Sequence, residues 1–413
     1  MNQIYQNLKE RGYIYQATNL TNIKKLLTSS PVTFYLGIDP TADSLHIGHF
    51  FALTMVRRLQ KAGHKPIIVI GGATALVGDP TAKSNLRKML TKEEVAYNKQ
   101  EVKKIIKRFV TCDGPNAALI LDNFEWIKSA TYIDFMREIG LHFNVNKMLA
   151  AECYKLRLAS GGLTFLEMGY MLMQAYDFIY LNKHYGCQIQ IGGSDQWPNI
   201  LAGVELGRKM THAGTAKIEP LYGVTCPLLV KGDGEKMGKT AKGTLWVSRE
   251  KTTVYDFYQA FINSYDEDVE RLLAFFSDYD MEKIKNMCQR DIVVAKKIMA
   301  YEVTKLVHGE KAAKIADTTA EAVFEKKAID DNMPTVKLAK EELKKGINLL
   351  DLLVLTKLVS SKSAGRRLVE QGGIRINRQK ITNPDMVVTG KDTTHNYLLL
   401  QKGKKSFKKV EFN

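Results

Sequence analysis

VTFYLGIDPTADSLHIGHFFALTMVRRLQKAG, residues 32–63, decides the fold. VTFYLGI at 32–38 is a short run of β-branched, aromatic and aliphatic residues, which is typical of a buried strand. HIGHFFALTMVRRLQKAG at 46–63 has the apolar spacing of a helix. The stretch therefore predicts a strand, a polar loop and a helix, with His46 and His49 where the helix opens.

Three more segments of the strand type follow, and helical patterns separate them. They are PIIVIGG at 66–72, AALILD at 117–122 and CQIQIGG at 187–193. Continuously apolar strands that alternate with helices indicate a parallel sheet covered on both faces. The first two-thirds of the chain is therefore predicted to be a doubly wound, Rossmann-like α/β domain. Ligands bind such sheets just past the carboxyl ends of the strands, close to the predicted position of His46 and His49.

The rest of the chain divides into further units. TVYDFYQAFINS at 253–264 and AKKIMAYEVTKLVHG at 295–309 have helical period, and the segment before residue 346 is polar and contains proline. The predicted organisation is a Rossmann-like domain with an inserted connective region over 1–225, a glycine-rich loop and helical subdomain over 226–330, a linker over 331–345, and a small basic α+β domain over 346–413.

The charge of the chain is concentrated at its C-terminal end. The net charge is +16, and residues 346–413 hold 13 Lys or Arg against 5 Asp or Glu, half of the excess. Such a concentration indicates a polyanionic partner. A solubilising tail is the alternative, but the segment has too many apolar residues for a tail. In SAGRRLVEQGGIRIN, a helix followed by a Gly-Gly turn and a strand would place Lys362, Arg366 and Arg367 on a basic, RNA-binding face.

Composition excludes several classes of protein. The chain has 413 residues, 45% hydrophobic and 25% charged, which is typical of a globular protein with two or three domains. Its five cysteines are scattered without CxxC or metal-ligand spacing, a pattern that suits the reducing cytoplasm. We expect a cytoplasmic protein without a signal peptide, a membrane-spanning segment or a bound metal.

The two histidines have two interpretations. A helix N-terminus attracts anions, an imidazole there can donate a hydrogen bond to phosphate, and Gly48 would allow a ligand to approach the backbone closely. Alternatively, His46 faces solvent and His49 is a core residue. The pair alone leaves both interpretations open.

A second glycine-rich turn, IGGATALVGDP at 70–80, follows the next strand. No GK[ST] follows it, so it is not a Walker-type phosphate loop. Gly71 and Gly72 fit a tight turn between a strand and a helix. Asp79, Lys83 and Arg87 are candidates for a polar site.

TFLEMGYMLMQAYDF at 164–178 is more informative. Thr164 and Glu167 form a capping-box pattern, which sets the register of the helix. Tyr170, Gln174 and Asp177 then share one face of an otherwise apolar helix. Buried groups of this kind need hydrogen-bond partners, so they form either an internal network or a pocket for a small ligand that is both polar and aromatic. The second interpretation is favoured because the helix belongs to the same domain as the sheet.

KGDGEKMGKT at 231–240 is a flexible loop with positive charges at Lys236 and Lys239. Alone, it is typical of a solvated surface. Four stretches in this order, HIGH at 46–49, YMLMQAYDF at 170–178, GGSDQW at 192–197 and KMGKT at 236–240, nevertheless resemble the signatures of class I aminoacyl-tRNA synthetases. Within that class the chain is similar to the tyrosyl-tRNA synthetase family of the bacterial or organellar type. The similarity extends over nearly the whole chain, and the C-terminal module resembles an RNA-binding fold shared with a ribosomal small-subunit protein.

This resemblance implies a reaction. L-tyrosine would be activated with magnesium-bound ATP to tyrosyl-adenylate and pyrophosphate, and the tyrosyl group would then pass to the 3′ end of tRNA(Tyr). No protein-bound metal or organic cofactor is implied, and a homodimer is expected. Two alternatives are tryptophanyl-tRNA synthetase, whose indole substrate needs only one acceptor, and a non-catalytic RNA-binding relative.

The resemblance also implies a role for each candidate residue. The residues that act on the phosphates would be His46, His49, Lys236, Lys239 and Thr240. The tyrosine site would contain Tyr35 and Asp177 at the phenol, Asp79, Tyr170 and Gln174 at the α-ammonium group, and Gln190 and Gln196 alongside. The ATP site would contain Gly37, Asp39, Gly48, Lys83, Arg87, Gly193, Asp195 and Met237. In the loop, Gly238 takes the place of the serine of the family's KMSKS pattern.

Overall fold

The structure is a computed structural model that describes residues 3–81, 89–159, 162–232, 234–240, 243–324, 335–377, 379–393, 397–403 and 406–412. Lys83 and Arg87 of the predicted ATP site lie outside the described residues. The chain divides into two compact units, Met1–Leu229 and Val230–Asn413. None of the helices within the described ranges is both long enough and apolar enough to cross a bilayer.

The first unit is an α/β domain. Its strands are β1 Gln16–Ala17, β2 Thr33–Ile38, β3 Lys65–Ile70, β4 Leu119–Asp122, β5 Cys187–Gly193 and β6 Tyr222–Cys226. Its helices are α1 Ile4–Glu10, α2 Leu20–Ser29, α3 Ile47–Lys61, α4 Thr74–Val77, α5 Lys92–Ile106, α6 Phe124–Ile127, α7 Tyr132–Glu138, α8 Val145–Leu149, α9 Glu152–Ala159, α10 Phe165–Tyr185 and α11 Trp197–His212.

These strands form one sheet in the order β1-β6-β5-β2-β3-β4. Strands β2 to β6 are parallel, and β1 pairs antiparallel with β6. The predicted doubly wound sheet is therefore confirmed, with its four predicted strands as β2 to β5. Strand β6 was not predicted, because YGVTC combines a glycine and a threonine with too few apolar residues. The strand order reverses between β2 and β5, and this is the point where open α/β sheets bind ligands.

Helix α3 is fixed to the sheet by its apolar face. Phe50, Phe51 and Leu53 are buried, and the strands beside the helix bury Phe34 and Ile68 completely. Truncating one such side chain, for example by Leu53→Ala, costs about 2–5 kcal/mol of stability. This packing holds the first turn of α3 at the carboxyl end of β2.

The second unit begins with a β-hairpin and a helical bundle, and ends in a small sheet. Its helices are α12 Val254–Ile262, α13 Val269–Phe276, α14 Met281–Arg290, α15 Ile292–His308, α16 Glu310–Phe324, α17 Lys340–Lys345, α18 Leu349–Leu355 and α19 Lys362–Glu370. Its strands are β7 Lys239–Thr240, β8 Gly243–Thr244, β9 Thr335–Leu338, β10 Ile347–Asn348, β11 Ile374–Ile376, β12 Gln379–Ile381, β13 Val387–Val388, β14 Tyr397–Lys402 and β15 Ser406–Phe412. The predicted helical subdomain and small α+β domain are both present.

The structure differs from the predicted linker over 331–345. Residues 331–334 lie outside the described residues, but β9 is the edge strand of the five-stranded sheet β12-β11-β14-β15-β9. It pairs in parallel with β15, with Val336 opposite Val410, and α17 buries Leu343 in the same core. The prediction was wrong for 335–345, because TVKL is too short and polar to indicate a strand before its partner is known.

Candidate active site

Two residues on neighbouring central strands contribute buried polar atoms to the site. Tyr35 on β2 lies opposite Gln190 on β5 in the register of the sheet. Both side chains are buried, and neither the Tyr35 hydroxyl nor the Gln190 Oε1 atom has a hydrogen-bond partner among the described residues. Gln174 Oε1 on α10 is in the same condition. Because a buried polar atom without a partner costs stability, three such oxygens indicate a site built for a polar ligand.

Asp177 is the buried carboxylate of this site. Trp126 donates its indole N–H to Asp177 Oδ1 at 2.7 Å, and Asn123 donates an amide N–H to Oδ2 at 3.0 Å. Burial raises the Asp177 pKa to about 7, against the lowering effect of these two hydrogen bonds. Burial, followed by the charge of Asp177, also raises the pKa of the Tyr35 hydroxyl, so that the hydroxyl remains protonated and able to donate.

Two further pairs bring predicted site residues together. Tyr170 on α10 donates its hydroxyl to Asp39 Oδ2 at 2.9 Å, just past β2. Gln196 donates its amide to Asp79 Oδ2 at 2.8 Å, and Asp79 Oδ1 accepts the backbone N–H of Thr81. Carboxylates in these pairs present acceptor oxygens where the predicted α-ammonium group would lie.

The predicted helix position of α10 is confirmed. Thr164 is the N-cap, and the reciprocal bonds of the capping box with Glu167 are both present. Arg157 donates to Glu167 Oε1 at 2.9 Å in a buried ion pair. The register of Tyr170, Gln174 and Asp177 is thus fixed from the first turn of the helix.

His46 is the N-cap of α3. Its Nδ1 atom accepts the backbone N–H of His49 at 3.2 Å, and the two imidazole rings stack with centroids 3.7 Å apart. An Nδ1 atom that accepts leaves the proton of a neutral imidazole on Nε2, so Nε2 is a donor. A Cβ on Gly48 would lie 3.1 Å from the His46 ring, a tight contact that would displace the ring by a few tenths of an ångström, so glycine favours this stacking. Both rings are partly buried, and neither histidine is a core residue.

Two of the three glycines predicted for the ATP site, Gly37 and Gly193, lie at the ends of β2 and β5, and the third, Gly48, lies in the first turn of α3. Gly37 is exposed although its neighbours Leu36 and Ile38 are buried, and a Cβ added there would meet nothing within 4 Å. At the end of β5, a Cβ on Gly193 would lie 2.7 Å from Asp195 Oδ1. The strand ends therefore leave space above β2 and pack tightly above β5.

The KMGKT loop belongs to the second unit. Lys236 is exposed and forms an antiparallel bridge with Val230, and Met237 is partly buried. Gly238 has φ +103°, a conformation that glycine adopts readily, so glycine suits the position where the family pattern has serine. The backbone of Lys239 and Thr240 forms β7, which pairs with β8.

The basic residues predicted at the C-terminus are on the exposed face of α19. Lys362 pairs with Asp351 at 2.5 Å, Arg366 pairs with Asp385 at 2.7 Å, and Arg367 is exposed. Helix α19 leads through a Gly-Gly turn into β11, in the predicted order. Exposed ion pairs are worth about 0–1 kcal/mol, so a phosphate group can compete for these side chains.

Sequence reasoning missed three residues of the site, namely Thr74, Asn123 and Trp126. Thr74 donates its hydroxyl to Asp39 Oδ1 at 2.7 Å, and Asn123 and Trp126 hold Asp177. The available signal was LDNFEW, in which an amide and an indole follow the end of a predicted strand.

Comparisons with known proteins identify the family. Residues 27–325 match the family model for class I tRNA synthetases (W and Y), and residues 325–410 match the C-terminal domain of tyrosine–tRNA ligases of the SYY-like type. A tyrosine–tRNA ligase of Acetivibrio thermocellus is 48% identical over the full length of both chains. The chain belongs to the tyrosine–tRNA ligase family. The predicted family, fold class and enzyme class are therefore confirmed.

Other tyrosine–tRNA ligases agree with this assignment. The tyrosine–tRNA ligase of Clostridium tetani is 47% identical, with 99% of each chain covered. The crystal structure of a C-terminally truncated mitochondrial tyrosyl-tRNA synthetase of Aspergillus nidulans superposes with a TM-score of 0.70 at 26% identity. That comparison covers 78% of this chain and 94% of the fungal one.

Proposed function

We infer that this chain joins L-tyrosine to tRNA(Tyr) in two steps. Tyrosine and magnesium-bound ATP give tyrosyl-adenylate and pyrophosphate, and the 3′-terminal ribose of the tRNA then takes the tyrosyl group. The observation that carries the inference is the set of unpartnered buried oxygens on Tyr35, Gln174 and Gln190 around Asp177.

The phenol of tyrosine complements two of these groups. A phenol is both a donor and an acceptor, so its hydroxyl hydrogen would go to the Asp177 carboxylate and its oxygen would accept from the Tyr35 hydroxyl. The indole of tryptophan donates one hydrogen and accepts none, which would leave the Tyr35 hydroxyl unpaired. Tyrosine is therefore favoured over tryptophan.

The α-ammonium group would bind at Asp79, Tyr170 and Gln174. The Tyr170 hydroxyl donates to Asp39, so its oxygen lone pairs are directed to accept. Gln174 Oε1 is an acceptor without a partner in the described part of the chain, and Asp79 brings a negative charge. Gln196, which donates to Asp79, would orient that carboxylate.

Activation requires no side-chain nucleophile, because the tyrosine carboxylate itself attacks the α-phosphorus of ATP. The protein's contribution is to position the reactants and to stabilise charge that develops on the phosphate oxygens. We assign this role to the Nε2 donor of His46, to His49, and to Lys236, Lys239 and Thr240. ATP would occupy the open space above Gly37, bordered by Asp39, Gly48, Gly193 and Asp195. The resemblance also assigns Met237, Lys83 and Arg87 to ATP binding, and Lys83 and Arg87 lie outside the described residues.

The second unit would bind the tRNA. Lys362, Arg366 and Arg367 present positive charge on one face of α19. A cavity of about 850 Å³ lies between α12 and the β14–β15 hairpin, and Lys251, Lys402, Tyr255 and Phe407 contribute to its lining. Lysines beside aromatic rings favour a nucleotide whose base stacks while its phosphate pairs with a cation. Gln259 also lines this cavity, and both of its amide atoms are buried with no partner within the described ranges.

A homodimer is proposed from an apolar patch between residues 132 and 165 of the first unit. The patch consists of the exposed side chains of Tyr132 (68%), Ile133 (66%), Leu141 (66%) and Phe165 (70%). Tyr132 and Phe165 line a groove of about 440 Å³, together with residues such as Phe135, Phe143 and Leu172. Exposed apolar patches of this kind mark interfaces, and a second copy of the chain would cover the patch symmetrically. The predicted cytoplasmic location also remains a proposal.

The proposed dimer can be tested by sedimentation. Tyr132→Asp or Phe165→Asp should shift the mass towards one chain, because either places a charge in the interface. Tyr97→Asp is the matched control, since Tyr97 is 60% exposed on α5 and lies outside the patch. If all three variants keep the wild-type mass, then either a different surface forms the dimer or the chain does not dimerise.

Tyrosine-dependent exchange between pyrophosphate and ATP tests the proposed reaction. The chain should catalyse exchange with tyrosine and not with tryptophan or phenylalanine, and it should charge tRNA(Tyr). Exchange with tryptophan instead of tyrosine would assign the chain the activity of a tryptophanyl-tRNA synthetase. Absence of exchange with all three amino acids, combined with RNA binding, would indicate a non-catalytic relative.

A further inference from the structure

A continuous chain of hydrogen bonds joins the two ends of the candidate tyrosine site. At one end, Asn123 donates to Asp177 Oδ2 at 3.0 Å and to Thr74 Oγ1 at 3.1 Å. Thr74 donates to Asp39 Oδ1 at 2.7 Å, and Asp39 Oδ2 accepts from Tyr170 at 2.9 Å. The residue common to both halves of this chain is Thr74.

The direction of each bond in the chain is determined. The backbone N–H of Ala73 donates to Asn123 Oδ1 at 2.8 Å, so both amide hydrogens of Asn123 point to Asp177 and Thr74. The Thr74 hydroxyl accepts one of them and must turn its own hydrogen to the Asp39 carboxylate. Bonds aligned in this way strengthen one another in a buried environment.

The turn that carries Thr74 is packed too tightly to move independently. A Cβ on Gly71 would lie 1.9 Å from Asp39 Oδ1 and 2.2 Å from Thr74 Oγ1. A Cβ on Gly72 would lie 2.2 Å from Asp122 Oδ1, on the strand that precedes Asn123. The two glycines therefore place the turn against β2 on one side and β4 on the other.

We propose that Thr74 is a positioning residue that couples the phenol end of the site, through Asn123 and Asp177, to the reaction end, through Asp39 and Tyr170. The proposal rests on the proposed function of this site. Thr74 acts through its hydroxyl: it holds the Asp39 carboxylate so that its second oxygen receives Tyr170, and it fixes the amide of Asn123. Binding of the phenol at one end thereby stabilises the geometry at the other.

Replacement of the hydroxyl should affect both ends. Thr74→Val keeps the shape of the side chain but leaves Asp39 Oδ1 and one hydrogen of Asn123 without this partner. Because a hydrogen bond to a charged group is lost, kcat/KM for tyrosine in pyrophosphate exchange should fall about 10-fold or more. Thr74→Ser keeps the hydroxyl and should stay within about threefold of wild type.

The decisive test is a pair of double-mutant cycles on the full chain. Asn123→Ala and Tyr170→Phe should be coupled in the presence of Thr74, with a combined loss of kcat/KM that departs at least about threefold from the product of the single losses. In the Thr74→Val background the two losses should multiply independently. If Thr74→Val does not fold, as judged by thermal melting, Thr74→Ala is used in the same cycles.

Three results would overturn the proposal. The first is a Thr74→Val enzyme with wild-type kcat/KM, and the second is coupling between Asn123 and Tyr170 that persists without the Thr74 hydroxyl. Equal damage from Thr74→Ser and Thr74→Val would also exclude the hydroxyl as the cause. Wild-type exchange is measured in the same experiments. Failure of the Thr74 proposal is therefore distinguishable from failure of the proposed function, in which the wild type itself would be inactive with tyrosine.

Discussion

Tyr35 on β2 and Gln190 on β5 are opposite each other at the point where the strand order of the sheet reverses, and each holds a buried oxygen without a partner in the described structure. Most buried polar atoms in proteins are hydrogen-bonded, so this pair lowers stability unless a ligand completes it. The sheet is therefore less stable at this position than it would be with both oxygens hydrogen-bonded, and this is the position where the substrate side chain would bind.

Discrimination between tyrosine and phenylalanine should depend on Tyr35 and Asp177. Tyr35→Phe removes one donor to the phenol and should lower kcat/KM for tyrosine by about 3- to 10-fold, with no loss for phenylalanine. Asp177→Ala should reduce tyrosine activation more than about 100-fold, because the acceptor for the phenol is lost and Asn123 and Trp126 lose their partner. Pyrophosphate exchange measures both effects.

Tyr97→Phe is the matched control, since Tyr97 is exposed on α5 outside the site. Circular dichroism and thermal melting would verify that each variant is folded. Wild-type exchange by a folded Asp177→Ala enzyme would exclude the assigned phenol site.

The pH dependence of tyrosine recognition should follow Asp177. Burial raises its pKa to about 7, and the ionised carboxylate accepts the one phenol hydrogen more strongly than the protonated carboxyl group does. The value of kcat/KM for tyrosine should therefore rise between about pH 6 and pH 8 and then level off. In Asp177→Asn this rise should be absent, whereas His46→Asn should retain it, which separates Asp177 from the histidines. A rise that persists in Asp177→Asn would assign the titration to another group.

The same group affects folding stability with a defined sign. The Asp177 pKa is about 7 in the folded chain, whereas the ordinary value of 3.8 applies to the unfolded chain. Between about pH 4 and pH 7 the folded state therefore binds more protons than the unfolded state. The free energy of unfolding should then decrease as the pH rises from about 4 to about 7. Urea unfolding at pH 5 and pH 8 should show a larger loss for wild type than for Asp177→Asn. An equal loss in the two proteins would contradict this linkage.

The parts of the fold that were predictable are those encoded by local sequence. The apolar strands β2 to β5, the helix with His46 at its start and the capping box at Thr164 each depend on a few adjacent residues. Strand β9 could not be predicted, because its pairing partner β15 lies about 70 residues later along the chain.

Local sequence indicated the helix face of Tyr170, Gln174 and Asp177 and the histidines at the start of α3, whereas the roles of the other candidate residues came from the resemblance. Thr74 and Asn123 lie in different turns, 49 residues apart, and nothing in either turn indicates that they bond to each other. Their roles follow from the sheet, which brings the carboxyl ends of β3 and β4 side by side. Long-range register of this kind has no local signal.

Substitutions of His46 should separate a structural role from a role at the phosphates. The imidazole caps α3 through Nδ1, and asparagine is also a good N-cap. His46→Asn should keep the stability of the chain but lose the Nε2 donor, and so reduce the rate of tyrosyl-adenylate formation by on the order of 100-fold with little change in tyrosine binding. His46→Ala should show the same loss of rate and, in addition, about 1 kcal/mol lower stability.

Single-turnover kinetics and equilibrium binding of tyrosine measure the two quantities separately. If His46→Asn weakened binding as much as it slowed activation, the histidine would act on the bound substrate and not on the charge that develops during the reaction.

Removal of the C-terminal domain should abolish tRNA charging while tyrosyl-adenylate formation continues. The break belongs after Phe324, at the end of α16, and not at Lys345, because a chain that ends at Lys345 would retain β9 without β15. The remaining chain contains all the residues of the first unit described above, and a fungal relative has been crystallised in a C-terminally truncated form.

The shortened chain loses Lys362, Arg366 and Arg367, and with them an electrostatic, salt-sensitive contribution to RNA binding. Pyrophosphate exchange should therefore remain near the wild-type rate, whereas the KM for tRNA should rise steeply. In the full chain, the triple substitution of these residues by alanine should raise that KM more at low salt than at high salt, because high salt already weakens the electrostatic contribution in the wild type. Substitution of Lys311 and Lys314 on α16 by alanine is the control for lost charge. Normal charging by the chain that ends at Phe324 would mean that the tRNA is held elsewhere.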